Sequence, residues 1–288
     1  MSIRNPVEWG VDSVKHAVTG IEHANRGLLQ SEEDARLAIP VVRQITIADL
    51  KDVLARGFED FGAERTDVIF LCVIYPVIGL VLANLAAGHQ LLPILFPLAS
   101  GFALVGPFAG VGLNEMSRRR ELGVSKGWTD VFQVLSAPSL GAILLLGLVL
   151  TGVFFFWLLS AEAIYQVTLG PRAPVSVANF VNDVLWTTAG HKMIVLGIGV
   201  GFVFAAVVLV ISVVAFPLLL DREVGVETAV RTSIRAAMAN PIPMAVWGMI
   251  IAGSLVLGSI PFLVGLVIVL PVLGHSTWHL YRKMVVPR

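Results

Sequence analysis

Beyond residue 67 the chain alternates apolar stretches of membrane-crossing length with short polar connectors. Crossing about 30 Å of hydrocarbon takes about 20 apolar residues in a helix. Six stretches answer that demand, near residues 68–87, 91–113, 140–160, 193–220, 242–257 and 260–281. Lipid offers no hydrogen bonds to an open backbone, so each of these runs reads as a helix. Composition agrees: of 288 residues, 56% are hydrophobic and only 14% charged, against about 25% charged in an ordinary soluble domain. The expected fold is an all-α polytopic membrane protein.

Lysine and arginine set the expected orientation, since basic residues beside spans stay in the cytoplasm. With six spans and the N-terminus inside, 18 of the 20 basic residues fall inside and only Arg172 and Lys192 outside. Arg118, Arg119, Arg120 and Lys126 cluster in one inner loop, Arg222, Arg231 and Arg235 in the next, and Arg282, Lys283 and Arg288 at the end. The formal net charge is zero, so no overall basic field gathers nucleic acid. Residues 1–44 read as a cytoplasmic extension with an amphipathic helix, in which Val7, Val11, Val14, Val18, Ile21, Asn25 and Leu28 follow a heptad seam. The first 67 residues lack the apolar core of a secretory signal, leaving the first span to direct insertion. Between the third and fourth spans, residues 175–186 set Asn179, Asn182 and Asp183 against Val177, Phe180, Val181, Val184 and Leu185, a helix lying on the outer surface or on the mouth of the bundle.

An internal similarity joins the inner loops. Arg120-Glu121-Leu122-Gly123-Val124 returns as Arg222-Glu223-Val224-Gly225-Val226, each followed by an amphipathic stretch and then by Ala137-Pro138 or Asn240-Pro241. A weaker copy, with Ile47, Leu50, Val53, Leu54 and Phe58 as its apolar positions, precedes the first span. The expected unit is an amphipathic cytoplasmic helix followed by a transmembrane hairpin, present three times over residues 45–288.

Several strings resemble those of a bacterial integral-membrane family, domain of unknown function 2189. They are Tyr75–Leu80, Gly106-Pro107-Phe108-Ala109-Gly110 continuing to Glu121, Val214–Arg222, and Leu270-Pro271-Val272-Leu273-Gly274-His275 continuing to Lys283. The resemblance runs from about residue 45 to residue 285. It implies an integral protein of a bacterial inner membrane, and it implies no activity.

Chemistry-bearing motifs are sparse. His275 and His279, at i and i+4 in the last span, are candidate metal ligands. The plainer alternative is an anchoring belt with Trp278, Tyr281, Arg282 and Lys283 whose polar tips reach water. His89 and His191, at the outer ends of the first and fourth spans, are candidate axial ligands of a haem, or ordinary helix-end residues. No glycine-rich phosphate loop, nucleophile elbow or His-Glu-x-x-His occurs. The lone cysteine, Cys72, makes no internal disulfide. No charged residue lies in the interior of the spans, which weighs against an ion-coupled carrier.

Three functions are therefore ordered. The first is a non-enzymatic accessory, scaffold or assembly protein without cofactor, acting through membrane lipids, a membrane protein complex or a second copy of itself. Next comes a transporter or permease for an apolar or amphipathic solute, since Pro76, Pro93, Pro97, Pro107, Pro217 and Pro271 fall within or near spans. A haem- or metal-binding membrane protein is third.

Overall fold

The structure is a computed structural model describing residues 40–63, 92–125, 127–170, 174, 176–261 and 263–286. The first apolar stretch, His89, Lys126 and residues 1–39 of the extension lie outside the described residues. Ten α-helices occur among those described. They are α1 (47–63), α2 (Leu92–Ala109), α3 (Val111–Glu121), α4 (Leu140–Thr168), α5 (Val177–Trp186), α6 (Thr188–Ser212), α7 (Ala215–Asp221), α8 (Val226–Ala239), α9 (Pro241–Ser259) and α10 (Leu266–Met284). A 3-10 helix spans Trp128–Ser136. The described part is all-helical apart from an isolated antiparallel bridge between Val42 and Val285.

Four helical segments among the described residues are long and apolar enough to cross a membrane: Phe96–Glu121, Leu140–Thr168, Thr188–Asp221 and Pro241–Ser259. At 29 residues, α4 is about 43 Å long. It runs eight residues past the expected end of its apolar stretch, as far as Glu162 and Gln166, which hydrogen-bond each other at 2.9 Å. The expected sixth span starts late: residues 260, 261 and 263–265 are in turns, and α10 begins only at Leu266. Gly258 and Gly265 make those turns possible, because a Cβ on Gly265 would stand 2.7 Å from the Gly258 backbone.

Proline explains the sharpest break. Pro217 has no N–H, and its ring clashes with the carbonyl four residues earlier, so the helix stops at Ser212 and restarts at Ala215. Ser233 of α8 supplies the lost partners, accepting from Val214 N at 3.2 Å and donating to Val210 O at 2.8 Å.

Each amphipathic segment has one buried side. In α1 the buried stripe is Leu50, Val53, Gly57 and Asp60, while Ile47 and Phe58 face outward. Thr46 and Asp49 cap its start reciprocally, the Thr46 amide donating to Asp49 at 2.8 Å and the Asp49 amide to Thr46 Oγ1 at 3.4 Å. In the 3-10 helix Val131 turns inward and Phe132 and Leu135 outward. α8 buries Thr228, Ala229, Thr232, Ser233, Ala236 and Ala237 and exposes Arg231 and Met238.

Seats for these three segments run hand over hand. α1 sits on α10, where Gly57 meets Val272 O and Ser276. The 3-10 helix sits on α3, where Val131 meets Gly112 and Asp130 pairs with Arg119 at 3.0 Å. α8 sits on α6 and α7. The ends of α3, α7 and α10 touch one another at the centre. There the largest fully buried side chains gather, among them Phe216, Trp278, Tyr281 and Met116. Away from this basic end, α4 packs between α2 and α6. Trp157 is its anchor, donating to Pro97 O at 2.8 Å and meeting Phe204 edge-on at 5.8 Å.

α5 has no buried residue; Val177, Val181, Leu185 and Trp186 are all exposed. Ser176 caps it, accepting from Asn179 N at 3.2 Å.

Candidate functional site

The chemistry-bearing side chains converge where α1, α3 and α10 meet. Ser117 and Arg120 lie three residues apart on one face of α3, and His275 and His279 four apart on one face of α10. Asp60, near the end of the described part of α1, reaches both faces. It accepts from Ser117 Oγ at 2.6 Å, contacts His279 Nε2 at 2.8 Å and pairs with Arg120 Nε at 3.4 Å. Ser117 Oγ is also 2.8 Å from His275 Nδ1. With its single proton given to Asp60, the hydroxyl accepts from His275 Nδ1–H, which fixes the neutral tautomer of that ring.

His275 is completely enclosed, so its ring does not reach water as an anchoring belt would have it. His279 keeps an exposed edge and lines a groove of about 560 Å³. Burial pushes the Asp60 carboxyl up, but the His279 and Ser117 hydrogen bonds outweigh it and hold Asp60 below the usual carboxylate range. At the groove's rim Lys283 bridges Asp52 at 2.9 Å and Asp49 at 3.2 Å. The hydrogen bond between Lys283 and Asp52 raises the ammonium and lowers the carboxyl.

A second knot ties the three central helix ends. Trp278 Nε1 donates to Glu121 at 2.8 Å, Arg282 pairs with the same carboxylate at 2.8 Å, and Tyr281 donates to Asp221 at 2.5 Å. Arg282 lies over the Trp278 ring at 5.9 Å. Arg118 closes on buried Glu115 through two bonds of 2.7 and 2.8 Å, the bidentate geometry that favours arginine. Arg222 pairs with Asp221 at 3.6 Å and donates to Val286 O. Of the basic cluster expected from sequence, Arg118, Arg119, Arg120, Arg222, Arg282 and Lys283 thus each hold a carboxylate.

Serine, histidine and aspartate meet here without forming a hydrolytic triad. In a triad the carboxylate orients the histidine that takes the serine's proton. Here Asp60 takes that proton bond itself and orients the other histidine. Among the described residues no group of three or more His, Cys, Asp or Glu side chains is arranged to hold a metal ion. At the opposite end of the bundle, His191 is exposed and its Nε2 lies 2.9 Å from Leu185 O, the carbonyl of a neighbouring turn. Its suggested haem partner His89 is outside the described residues.

Sequence reasoning found the bases and missed the acids they bind: Asp60, Glu115, Glu121 and Asp221. Two of them stand beside arginines of the repeated strings, Glu121 inside the first copy and Asp221 immediately before the second. Asp60 has no local signal, since its partners are 57 and 219 residues away.

No curated protein and no solved structure matches the chain. One family does, over a narrower range than the strings read from sequence: the match leaves out α10 with its two histidines and runs from within α2 to the end of α7. Residues 95–221 match the family described as predicted integral membrane protein (DUF2189).

Proposed function

We propose that the protein is a non-enzymatic scaffold or assembly factor of a bacterial inner membrane, with six spans arranged as three hairpins and both termini in the cytoplasm. In this reading each hairpin is preceded by an interfacial helix, and the hand-over-hand seats of α1, the 3-10 helix and α8 are the three copies of one unit. One observation carries the proposal: the charged side chains at the basic end are used on each other. Asp60, Glu115, Glu121 and Asp221 each hold a base, and the two histidines are held by Ser117 and Asp60. Such a network fixes helix positions and presents a rigid floor; it does not aim reactive groups at a shared substrate position. Exposed Phe58, Phe132, Leu135 and Met238 on the interfacial segments give that floor an apolar rim for lipid or protein contacts.

The test is gentle-detergent purification from native membranes, with intact-complex mass and an absorption spectrum taken on one sample. A colourless protein carrying a stoichiometric partner supports the scaffold. A protein that travels alone and moves an amphipathic solute across vesicles overturns it. Transport is the second reading, favoured by two interrupted helices, at the turn of Gly110 and the break at Val213–Val214, and by Pro271 inside the continuous α10.

A further inference from the structure

The three seats differ in what holds them. α8 is bound through small buried residues, and among the described residues its ion pair, Arg231 with Glu227, stays within the helix. α1 is bound through carboxylates. Asp49 and Asp52 take Lys283, and Asp60 takes Arg120 and His279. Beneath α1 lie the faces of two helix ends, Ser117 with Arg120 on α3 and His279 with Lys283 on α10. Remove the α1 acids and Arg120 and Lys283 lose the carboxylates they hold, while Arg282 keeps Glu121. What remains is Arg120, the His279 imidazole and the Ser117 hydroxyl around the place of the Asp60 carboxylate, a donor set suited to a phosphate, with Lys283 farther along the same groove.

We propose that α1 is an acidic latch over an anion-binding surface, and that the surface takes the phosphate of an anionic phospholipid in the cytoplasmic leaflet when the latch lifts. The α1 carboxylates stand in for that phosphate in the closed arrangement. Charge complementarity names the ligand class. Position names its source: the surface lies at the ends of membrane helices, where a headgroup is delivered by the bilayer and its anionic field adds to the attraction. The ion pairs at the rim are partly exposed, with Lys283 at 33% and Asp52 at 41%, so competition by a second anion is cheap there and costlier at Asp60. The latch accordingly opens from its Asp49–Asp52 end. The proposal rests on the contact-scaffold reading and names lipid as one of its partners.

Hydrogen exchange of the full chain in nanodiscs tests it, comparing phosphatidylcholine with and without phosphatidylglycerol at matched ionic strength. Protection over 47–60 is expected to fall about five- to tenfold with phosphatidylglycerol, the scale of losing two or three partly exposed ion pairs. Protection over 226–239 is expected to stay unchanged, which also reports that the fold is intact. In Arg120→Gln with Lys283→Gln, the baseline over 47–60 shifts and the lipid dependence disappears. Equal protection in both discs overturns the latch, and so does a loss shared by 226–239. An equal effect of inorganic phosphate overturns the lipid assignment. A protein that binds lipid this way yet brings no partner on purification sinks the scaffold and leaves the latch standing.

Discussion

Replacing Gly57 by alanine tests whether α1 is seated as described. In a free helix the change is favourable by about 1 kcal/mol, the propensity gap between the two residues. Here the new Cβ would stand 2.0 Å from Ser276 Oγ, 2.9 Å from Ser276 N and 2.9 Å from Val272 O. The hydroxyl can rotate away, but the two backbone atoms belong to α10 and cannot. α1 must therefore retreat, and overpacking of this kind costs about 1–3 kcal/mol. The expected balance is a loosening of up to about 2 kcal/mol, a factor of up to about 30 in the docked-to-free ratio. Gly62→Ala is the matched control, since nothing lies within 4 Å of its would-be Cβ. Hydrogen exchange over 47–60 of the full-length protein reads both. Faster exchange in Gly57→Ala with equal or slower exchange in Gly62→Ala is expected. Two variants moving together, or an unchanged Gly57→Ala, refute the close seating of α1 on α10.

Acid should release the same helix. Because Asp60 is held below the carboxylate range, its contribution is fully present above the ordinary value of about 3.9 and is lost as pH falls through the lower folded value. Protection of α1, corrected for intrinsic exchange, should stay level from neutral pH to about pH 5 and give way below about pH 4, and Asp60→Asn should shrink that transition, leaving the share that Asp49 and Asp52 contribute through Lys283. Asn240 clamps the lead into α1, accepting from Ile45 N at 2.7 Å and donating to Arg43 O at 3.0 Å; Asn240→Ala should cost about 1–3 kcal/mol, seen as proteolytic cutting near residues 40–46. Trp247 is fully buried, and Trp247→Ala should destabilise the bundle by about 3–5 kcal/mol in thermal unfolding, while Leu148→Ala, on a side chain 67% exposed, should move the midpoint little.

Membrane character and most helix positions were legible because they depend on local composition: a run such as Leu140–Ser160 has few alternatives to a helix in lipid. Helix ends were less so. α4 continues to Thr168 because polar residues past the apolar run still propagate a helix, and the last helix starts late because Gly258 and Gly265 permit turns that hydropathy does not register. The sequence pattern of α1 puts Ile47, Leu50, Val53, Leu54 and Phe58 on one apolar stripe. Its buried stripe is instead Leu50, Val53, Gly57 and Asp60, since the surface it meets wants a close approach and a carboxylate, neither of which scores as apolar. The histidine pair was visible, but its partners were not, because Asp60 and Ser117 reach His279 and His275 across 219 and 158 residues.

That separation orders the events of synthesis. The helix containing Asp60 leaves the ribosome long before α10, the surface that receives it, has been made. At about 5–20 residues per second, α1 waits on the order of ten seconds or more with its acids in water. The membrane-crossing helices enter the bilayer during that wait, and the docking of α1 on α10 is the closing step of assembly. A chain stalled before its final helix would therefore hold inserted spans and a loose acidic arm, the form in which quality-control proteases meet it.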